Sequence, residues 1–220
     1  MRRFPFIPLL ILCLGISIMV QAQSIVYSCN GKYRIELPNK LELQSSELNS
    51  VRNIAAQNKK LQINVSTQSG HITFQQKGLN ADLKTAYNKY CRVIIEYFIE
   101  NRKEPVFGRG DQIIVDRDVL YTVYESVREA CEINKTPLLK LLSIQPLAIN
   151  GFPVLYYSYR RKGWLKEDGK RQPPVIVNVY QIFNRYESAI VTFSYRESER
   201  GNWKDIHNYI IKTFRFNKNY

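Results

Sequence analysis

The chain has 220 residues, of which 45% are hydrophobic and 23% are charged. This is the composition of an ordinary globular protein, so a disordered tail, a collagen-like repeat and a disulfide-dense miniprotein are excluded. At this length one hydrophobic core is large enough to be stable without a metal or a disulfide. The formal net charge is +13, and such an excess of cations favours contact with polyanions.

The amino-terminal segment has the layout of a secretory signal peptide. Arg2 and Arg3 form a short basic start, and residues 4–20 are almost wholly apolar. Small residues then stand at the third and first positions before Gln23, as they do at signal-peptidase sites. We therefore predict that residues 1–22 are a signal peptide, cleaved between Ala22 and Gln23.

Two other interpretations of this segment are a retained membrane anchor and a lipoprotein. A span of about 17–25 residues crosses a bilayer, so residues 4–20 are at the lower limit, and no basic flank follows them. Leu12 precedes Cys13 where a lipoprotein needs a small residue, which argues against lipidation. We expect a mature chain, residues 23–220, that forms a single α+β domain in the periplasm or outside the cell.

Loss of the signal peptide would lower the formal charge to +11, because it removes Arg2 and Arg3. Outside the cytoplasm, the polyanions available to a basic protein are acidic proteins, anionic lipids and acidic glycans. Nucleic acid is disfavoured by that compartment. The other interpretation is that the charge serves solubility alone.

Three cysteines remain in the mature chain, Cys29, Cys91 and Cys131. An odd number in an oxidising compartment implies a free thiol or an intermolecular bond. Their spacing matches no zinc site, and the chain has no Cys-x-x-Cys motif. Cys91 and Cys131 each fall on the apolar stripe of a predicted helix. We expect two small buried thiols, with a Cys91–Cys131 disulfide as the alternative if those helices pack side by side.

The amino-terminal half of the mature chain is predicted to begin with short strands. Alternating apolar residues indicate strands over residues 33–37, 41–43, 61–65 and 72–74.

Two helices are predicted to follow these strands. Apolar residues at spacings of three and four predict a helix over residues 81–101, with Asn80 as its N-cap. Residues 113–115 are predicted to form a short strand. A second helix is predicted over residues 118–133, although part of that segment is also compatible with a strand.

The carboxyl-terminal half is predicted to form a meander and a final helix. An apolar strand over residues 138–149 contains Pro146, which indicates a sheet edge or a bulge. The dipeptide Asn150-Gly151 predicts a hairpin turn. Asn202 is the predicted N-cap of the last helix, which has an apolar stripe. Three strong strands lie between that turn and that helix, over residues 154–161, 175–183 and 189–196.

This order of elements resembles the PsbP/Mog1 type of α/β/α sandwich, an antiparallel sheet covered by helices. The resemblance rests on an opening strand that ends at a proline, Ile35-Glu36-Leu37-Pro38, and on the run of residues 149–214. It implies an α+β fold and a non-enzymatic accessory role through binding to other proteins. The second helix departs from the usual order of that type. The chain also looks like uncharacterised exported proteins of the Bacteroidetes, and neither resemblance supplies catalytic residues.

No pattern in the sequence predicts catalysis, a cofactor or a metal. His71 is expected in an exposed turn and His207 at the edge of the buried stripe of the last helix. The nucleophile-elbow motif of serine hydrolases is missing, and Gly108-Arg109-Gly110 lacks the rest of a phosphate-binding loop. An enzyme of unrecognised type is therefore only the third hypothesis for function.

A long basic loop before residue 175 carries the one candidate functional site. We interpret it as a partner-binding surface in which an aromatic and an aliphatic side chain dock while the cations meet an acidic protein. The alternatives are binding to anionic lipid or acidic glycan, and a solvated loop with its tryptophan folded onto the sheet. The candidate residues are Arg160, Arg161, Lys162, Trp164, Leu165, Lys166, Lys170 and Arg171.

Overall fold

A computed structural model describes residues 24–29, 31–44, 62–65, 71–80, 89–99, 107, 109–166 and 168–217. The predicted signal peptide, residues 1–22, lies outside this part of the chain, as do residues 81–88 of the first predicted helix.

Eleven strands in the described part of the chain form two sheets. The larger sheet has seven antiparallel strands in the order β3-β5-β6-β10-β9-β8-β7, and the smaller has four in the order β11-β2-β1-β4. The strands are β1 (Ser24–Cys29), β2 (Tyr33–Pro38), β3 (Leu41–Leu43), β4 (Gln62–Val65), β5 (His71–Gln76), β6 (Cys91–Ile99), β7 (Leu138–Ile149), β8 (Phe152–Arg161), β9 (Val175–Asn184), β10 (Glu187–Arg196) and β11 (Arg215–Phe216).

Two helices accompany the sheets, α1 (Arg117–Ile133) and α2 (Arg200–Thr213). Asp116 caps α1, because its carboxylate accepts a hydrogen bond from the Val119 N–H at 2.9 Å. A 3-10 turn, Glu197–Glu199, leads from β10 into α2. Within the described residues, neither helix has the length and apolar character needed to cross a membrane.

The seven-stranded sheet is covered on both faces. One face, with Val154 and Phe193, packs against α2 and the inner side of β2 in the main hydrophobic core. Because side chains alternate along a strand, Leu155 points to the opposite face. There it packs with Val123 and Val127 of α1 in a second cluster. The result is the predicted α+β architecture, an antiparallel sheet with helices on its two sides.

The predictions for the carboxyl-terminal half are confirmed with small changes at the strand ends. Strand β7 lies at the edge of the sheet, as Pro146 suggested, and its register shifts occur near its start, away from that proline. Asn150 and Gly151 have φ angles of +56° and +82°, the conformation of a type I′ turn.

The helix predicted over residues 81–101 is wrong in its described portion, which is strand β6. Cys91, Val93 and Ile95 are fully buried and alternate with partly exposed neighbours. That alternation has the period of a strand, and β6 lies between β5 and β10 as a central strand. Pairing on both sides therefore determines its conformation.

Three smaller predictions also need correction. Residues 113–115 form no strand, although Ile113 is buried against α1. Helix α2 begins three residues earlier than expected, with Glu199 rather than Asn202 at its N-cap. His71 is the first residue of β5 and is half-buried.

The possible Cys91–Cys131 disulfide is not formed, and both thiols are free and buried. Cys91 lies in the main core beside α2, whereas Cys131 lies on α1 at the opposite face of the sheet. The disulfide was expected only if two predicted helices packed side by side. This condition is not met, because Cys91 lies on a strand. Burial raises the pKa of both thiols, which keeps them protonated and unreactive.

His207 of α2 is buried in the main core rather than at its edge. Its ring lies against Phe193 and Tyr195, with centroids 4.3 and 4.9 Å away. Its Nε2 atom is 3.7 Å from the Cys91 sulfur. Burial lowers the pKa of His207 from 6.5 to about 3, because the apolar surroundings disfavour the imidazolium form.

This burial predicts a loss of stability in acid. The unfolded chain takes up a proton at His207 near pH 6.5 and the folded chain only near pH 3, so protons favour unfolding between these values. The contribution of neutral His207 to the free energy of unfolding should be fully present above pH 6.5. Between pH 6.5 and pH 3 it should fall by up to about 1.4 kcal/mol per pH unit. His207→Phe should show a shallower decline in urea unfolding, and His71→Gln should retain the natural decline. Equal acid losses in the natural chain and the His207 variant would contradict the prediction.

Candidate functional site

The basic loop, residues 162–174, joins β8 to β9, and its described residues, 162–166 and 168–174, form a small hairpin. Leu165 and Arg171 form an antiparallel bridge. The N–H of Lys166 donates to the carbonyl of Lys170 at 2.9 Å, and the N–H of Gln172 donates to the carbonyl of Trp164 at the same distance. These bonds fix the backbone of the basic loop.

A buried arginine holds the basic loop against the end of the large sheet. Arg196, the last residue of β10, is only 1% exposed. Its guanidinium donates to the Pro173 carbonyl at 3.2 Å and to the Gln172 side chain at 2.6 Å, and it lies 4.9 Å from the Tyr90 ring centroid. A buried cation is costly unless its donors are satisfied, so the basic loop and Arg196 stabilise each other.

Neighbouring segments add further contacts to the basic loop. The N–H of Lys162 donates to the Pro137 carbonyl at 2.9 Å. The Arg171 guanidinium donates to the Lys135 and Gly163 carbonyls at 3.2 and 3.3 Å. The loop is therefore connected both to the α1–β7 connection and to its own start.

The structure leaves the predicted docking side chains accessible. Trp164 is 45% exposed and Leu165 is 54% exposed. Lys162, Lys166, Lys170 and Arg171 are all exposed beside them. Apolar and cationic side chains thus form one surface, which we call the basic loop surface.

The two arginines that precede the loop have other surroundings. Arg160 forms an ion pair with Glu197 at 2.7 Å, and both side chains are 40% exposed. This pairing neutralises Arg160 and directs it toward the 3-10 turn. Arg161 is half-buried, and its guanidinium donates to the Lys162 carbonyl at 3.2 Å.

A cavity of about 260 Å³ lies behind the basic loop, between the sheet and the end of α1. Trp164 forms part of its wall, so one side of the indole faces the cavity while the rest is exposed. Trp164 therefore borders both the cavity and solvent. Arg92, Arg161 and Tyr159 also line the cavity, and burial raises the pKa of Tyr159.

A cysteine–histidine contact is present, but its surroundings do not suit a nucleophile. Cys91 is fully buried and His207 is 3% exposed, so neither reaches a substrate from solvent. The raised thiol pKa and lowered imidazole pKa favour the two neutral forms. In the described ranges, no three metal-ligating side chains are grouped to hold an ion.

The sequence pointed to the exposed residues of the basic loop surface, but not to the residues that support that loop. Arg196 is a cation at the end of a largely apolar strand. Its position indicates that another segment must satisfy its hydrogen-bond donors. Tyr90 was placed on a helix stripe, whereas it precedes β6 and faces the Arg196 guanidinium.

No protein-family model and no curated protein matches this sequence. Its structure is similar to the solution structure of cyanobacterial PsbP (CyanoP) from Synechocystis, with a TM-score of 0.50, 15% identity, and coverage of 93% of this chain and 96% of that chain. It is also similar to a crystal structure from Bacteroides thetaiotaomicron, with a TM-score of 0.47, 10% identity, and coverage of 90% and 50%.

A third similar structure is LpqN of Mycobacterium tuberculosis, described as involved in cell envelope biogenesis. Its TM-score is 0.35 at 10% identity, with coverage of 89% of this chain and 91% of that chain. At such low identities the comparison with CyanoP shows the fold alone. It confirms the PsbP-like fold that the sequence predicted.

Gly163 provides a test of how the basic loop is fixed. A Cβ atom at this position would lie 2.3 Å from the Gln172 carbonyl oxygen, which is backbone and cannot move freely. Gly163→Ala should therefore destabilise the protein by about 1–3 kcal/mol in urea unfolding. It should also speed tryptic cleavage within the basic loop.

Gly201→Ala is the matched control for this substitution. Gly201 lies in the first turn of α2, and a Cβ atom added there would have no neighbour within 4 Å. Alanine there should leave stability unchanged or raise it by up to about 1 kcal/mol. Indistinguishable stabilities of the two variants would show that the loop adapts to the added methyl group.

Proposed function

We propose that this protein is an exported, non-enzymatic accessory protein that binds an acidic protein through its basic loop surface. The observation that carries the proposal is a fixed loop with two exposed apolar side chains among cations, Trp164 and Leu165. Tryptophan and arginine are typical anchors of protein interfaces, and neighbouring cations favour an acidic partner.

The fixed backbone supports a binding role for the basic loop surface. Ordering a flexible loop on association costs free energy, and a loop that is already ordered avoids most of that cost. Hydrogen bonds to Arg196 and to the Pro137 carbonyl hold described residues of this loop, and Gly163 lies closely against Gln172. The exposed surface is then presented in the same geometry to each partner it meets.

Export is the second part of the proposal. It is supported by the basic start, the apolar run over residues 4–20 and the small residues before Gln23.

Mass spectrometry of the protein isolated from its native host tests export. We expect the mature chain to start at Gln23 and to occur in the envelope or the medium. An intact Met1 or a cytoplasmic location would contradict this part of the proposal.

Site-specific photo-crosslinking in the native envelope tests partner binding. A crosslinker at Leu165 should capture one acidic protein reproducibly. Trp164→Ala should abolish capture and change the free energy of unfolding by less than about 1 kcal/mol, because the side chain is only partly buried. Lys170→Glu should weaken capture, since it reverses a charge on the surface.

Tyr186→Ala is the matched control. Tyr186 is also 45% exposed, but it lies in the β9–β10 turn at the other end of the strands. Capture should survive this substitution. Equal losses for Tyr186→Ala and Trp164→Ala, or capture that Trp164→Ala leaves intact, would overturn the protein-binding proposal. Binding to anionic vesicles that salt abolishes, without protein capture, would instead identify a lipid-associated module.

A further inference from the structure

A second cavity, of about 600 Å³, opens where β8 begins. Its cationic lining comes from three distant parts of the chain, Arg34 on β2, Arg109 before α1 and Arg215 on β11. The rings of Phe152 and Phe216 form its apolar side. No carboxylate occurs among the lining residues that the structure describes. We call this the three-arginine cavity.

Two of these arginines are placed where their charges repel. Arg34 and Arg215 are direct partners in the β2–β11 ladder. Like charges directly opposite each other destabilise a sheet. Burial lowers the pKa of Arg215, and the Arg34 charge lowers it further, while Glu36 compensates in part. Such a pair is stabilised when an anion lies between the two guanidinium groups.

Backbone carbonyls hold the Arg215 side chain, and an aromatic ring lies against the Arg109 side chain. The Arg215 guanidinium donates to the Lys212 and Phe214 carbonyls at 2.6 and 2.7 Å. A guanidinium has five N–H donors, so these two carbonyls occupy only some of them. The Arg109 guanidinium lies 5.9 Å from the Phe152 ring centroid.

The hairpin turn between β7 and β8 fixes the remaining wall. Asn150 donates from its amide to the Phe214 carbonyl at 2.9 Å, which joins the turn to the start of β11. The N–H of Gly110 donates to the Gly151 carbonyl at 3.0 Å, which joins the turn to the segment that carries Arg109. The turn thus brings the segments of Arg109 and Arg215 together.

We propose that the three-arginine cavity binds the phosphate group of a phosphomonoester. Such a group carries a charge of about −1.5 to −2 at neutral pH and three acceptor oxygens. Guanidinium groups match these oxygens with pairs of parallel hydrogen bonds. A carboxylate would neutralise only one of three cations. The Phe152 and Phe216 rings would contact the organic part of the ligand.

This site is separate from the basic loop surface. Phe152 and Arg161 are the two ends of β8, a ten-residue strand. At about 3.3 Å per residue the two sites are roughly 30 Å apart. A substitution in one therefore leaves the other intact, and failure of the partner-binding proposal would not affect this one.

Calorimetric titration of the purified chain tests the proposal with three probes. Inorganic phosphate should bind, phenyl phosphate should bind more tightly through the phenylalanine rings, and benzoate should bind at least tenfold more weakly than phenyl phosphate. Benzoate has the same ring with a single charge. Equal affinities for phenyl phosphate and benzoate, or no binding of either phosphate, would overturn the proposal.

Vesicles distinguish the source of the phosphomonoester. Binding to phosphatidic acid vesicles that inorganic phosphate displaces would identify a lipid headgroup as the ligand. Binding of soluble phosphates without vesicle binding would identify a soluble ligand, and both results support the site. Equal binding to phosphatidic acid and to phosphatidylglycerol vesicles, undiminished by phosphate, would show general attraction to anionic surfaces and would count against the proposal.

Arg34→Gln separates ligand binding from a structural role. It should weaken phosphate binding at least tenfold and, without phosphate, leave the thermal midpoint unchanged or higher, because it relieves the repulsion with Arg215. Arg109→Gln, from a different segment, should weaken binding as well. Lys170→Gln removes the same charge from the basic loop surface and should change affinity less than twofold. Equal losses in all three variants would overturn the proposal.

Discussion

The fold depends on covering both faces of the seven-stranded sheet. Strands such as β9 bury apolar side chains on both sides, with Ile182 toward the main core and Val177 toward the opposite face. A sheet of this kind is stable in water only between two layers. Helix α2 and the small sheet cover one face, and α1 covers part of the other. The near-continuous apolar runs of these strands follow directly from this burial.

Helix α1 does not cover the whole face opposite the main core. Other segments cover the end of that face near β6 and β10. Tyr90, Arg196 and the basic loop lie there, and the buried guanidinium is satisfied by loop carbonyl and amide oxygens. The basic loop is thus a structural element of the sheet as well as an exposed surface. The backbone contacts of Arg196 support the conformation of the loop, while Trp164 and Leu165 are exposed on its surface.

The strands of the carboxyl-terminal half were predictable because runs of β-branched and aromatic residues favour strands over other secondary structure. Strand β6 was not, and its spacing explains the error. Residues four apart lie on one stripe of a helix, but four is also a multiple of two, so they share one face of a strand. Ile94 and Phe98 therefore fit both structures. The basic loop was visible as a local run of cations, whereas the three-arginine cavity depends on the pairing of β2 with β11.

Some cations of this protein are paired with carboxylates, whereas others are bonded to backbone oxygens. Where Arg160 lies near Glu197, the charge is neutralised within the fold. At the basic loop Arg171, and at the three-arginine cavity Arg215, are held by backbone carbonyl oxygens, which orient a guanidinium without removing its charge. If the cations served only solubility, we would expect them to lie far from one another, because like charges repel. Placing Arg34 directly opposite Arg215 lowers stability in the absence of a ligand. The proposed phosphate site gives a reason for this local conflict, because a bound anion would offset the repulsion between the two guanidinium groups.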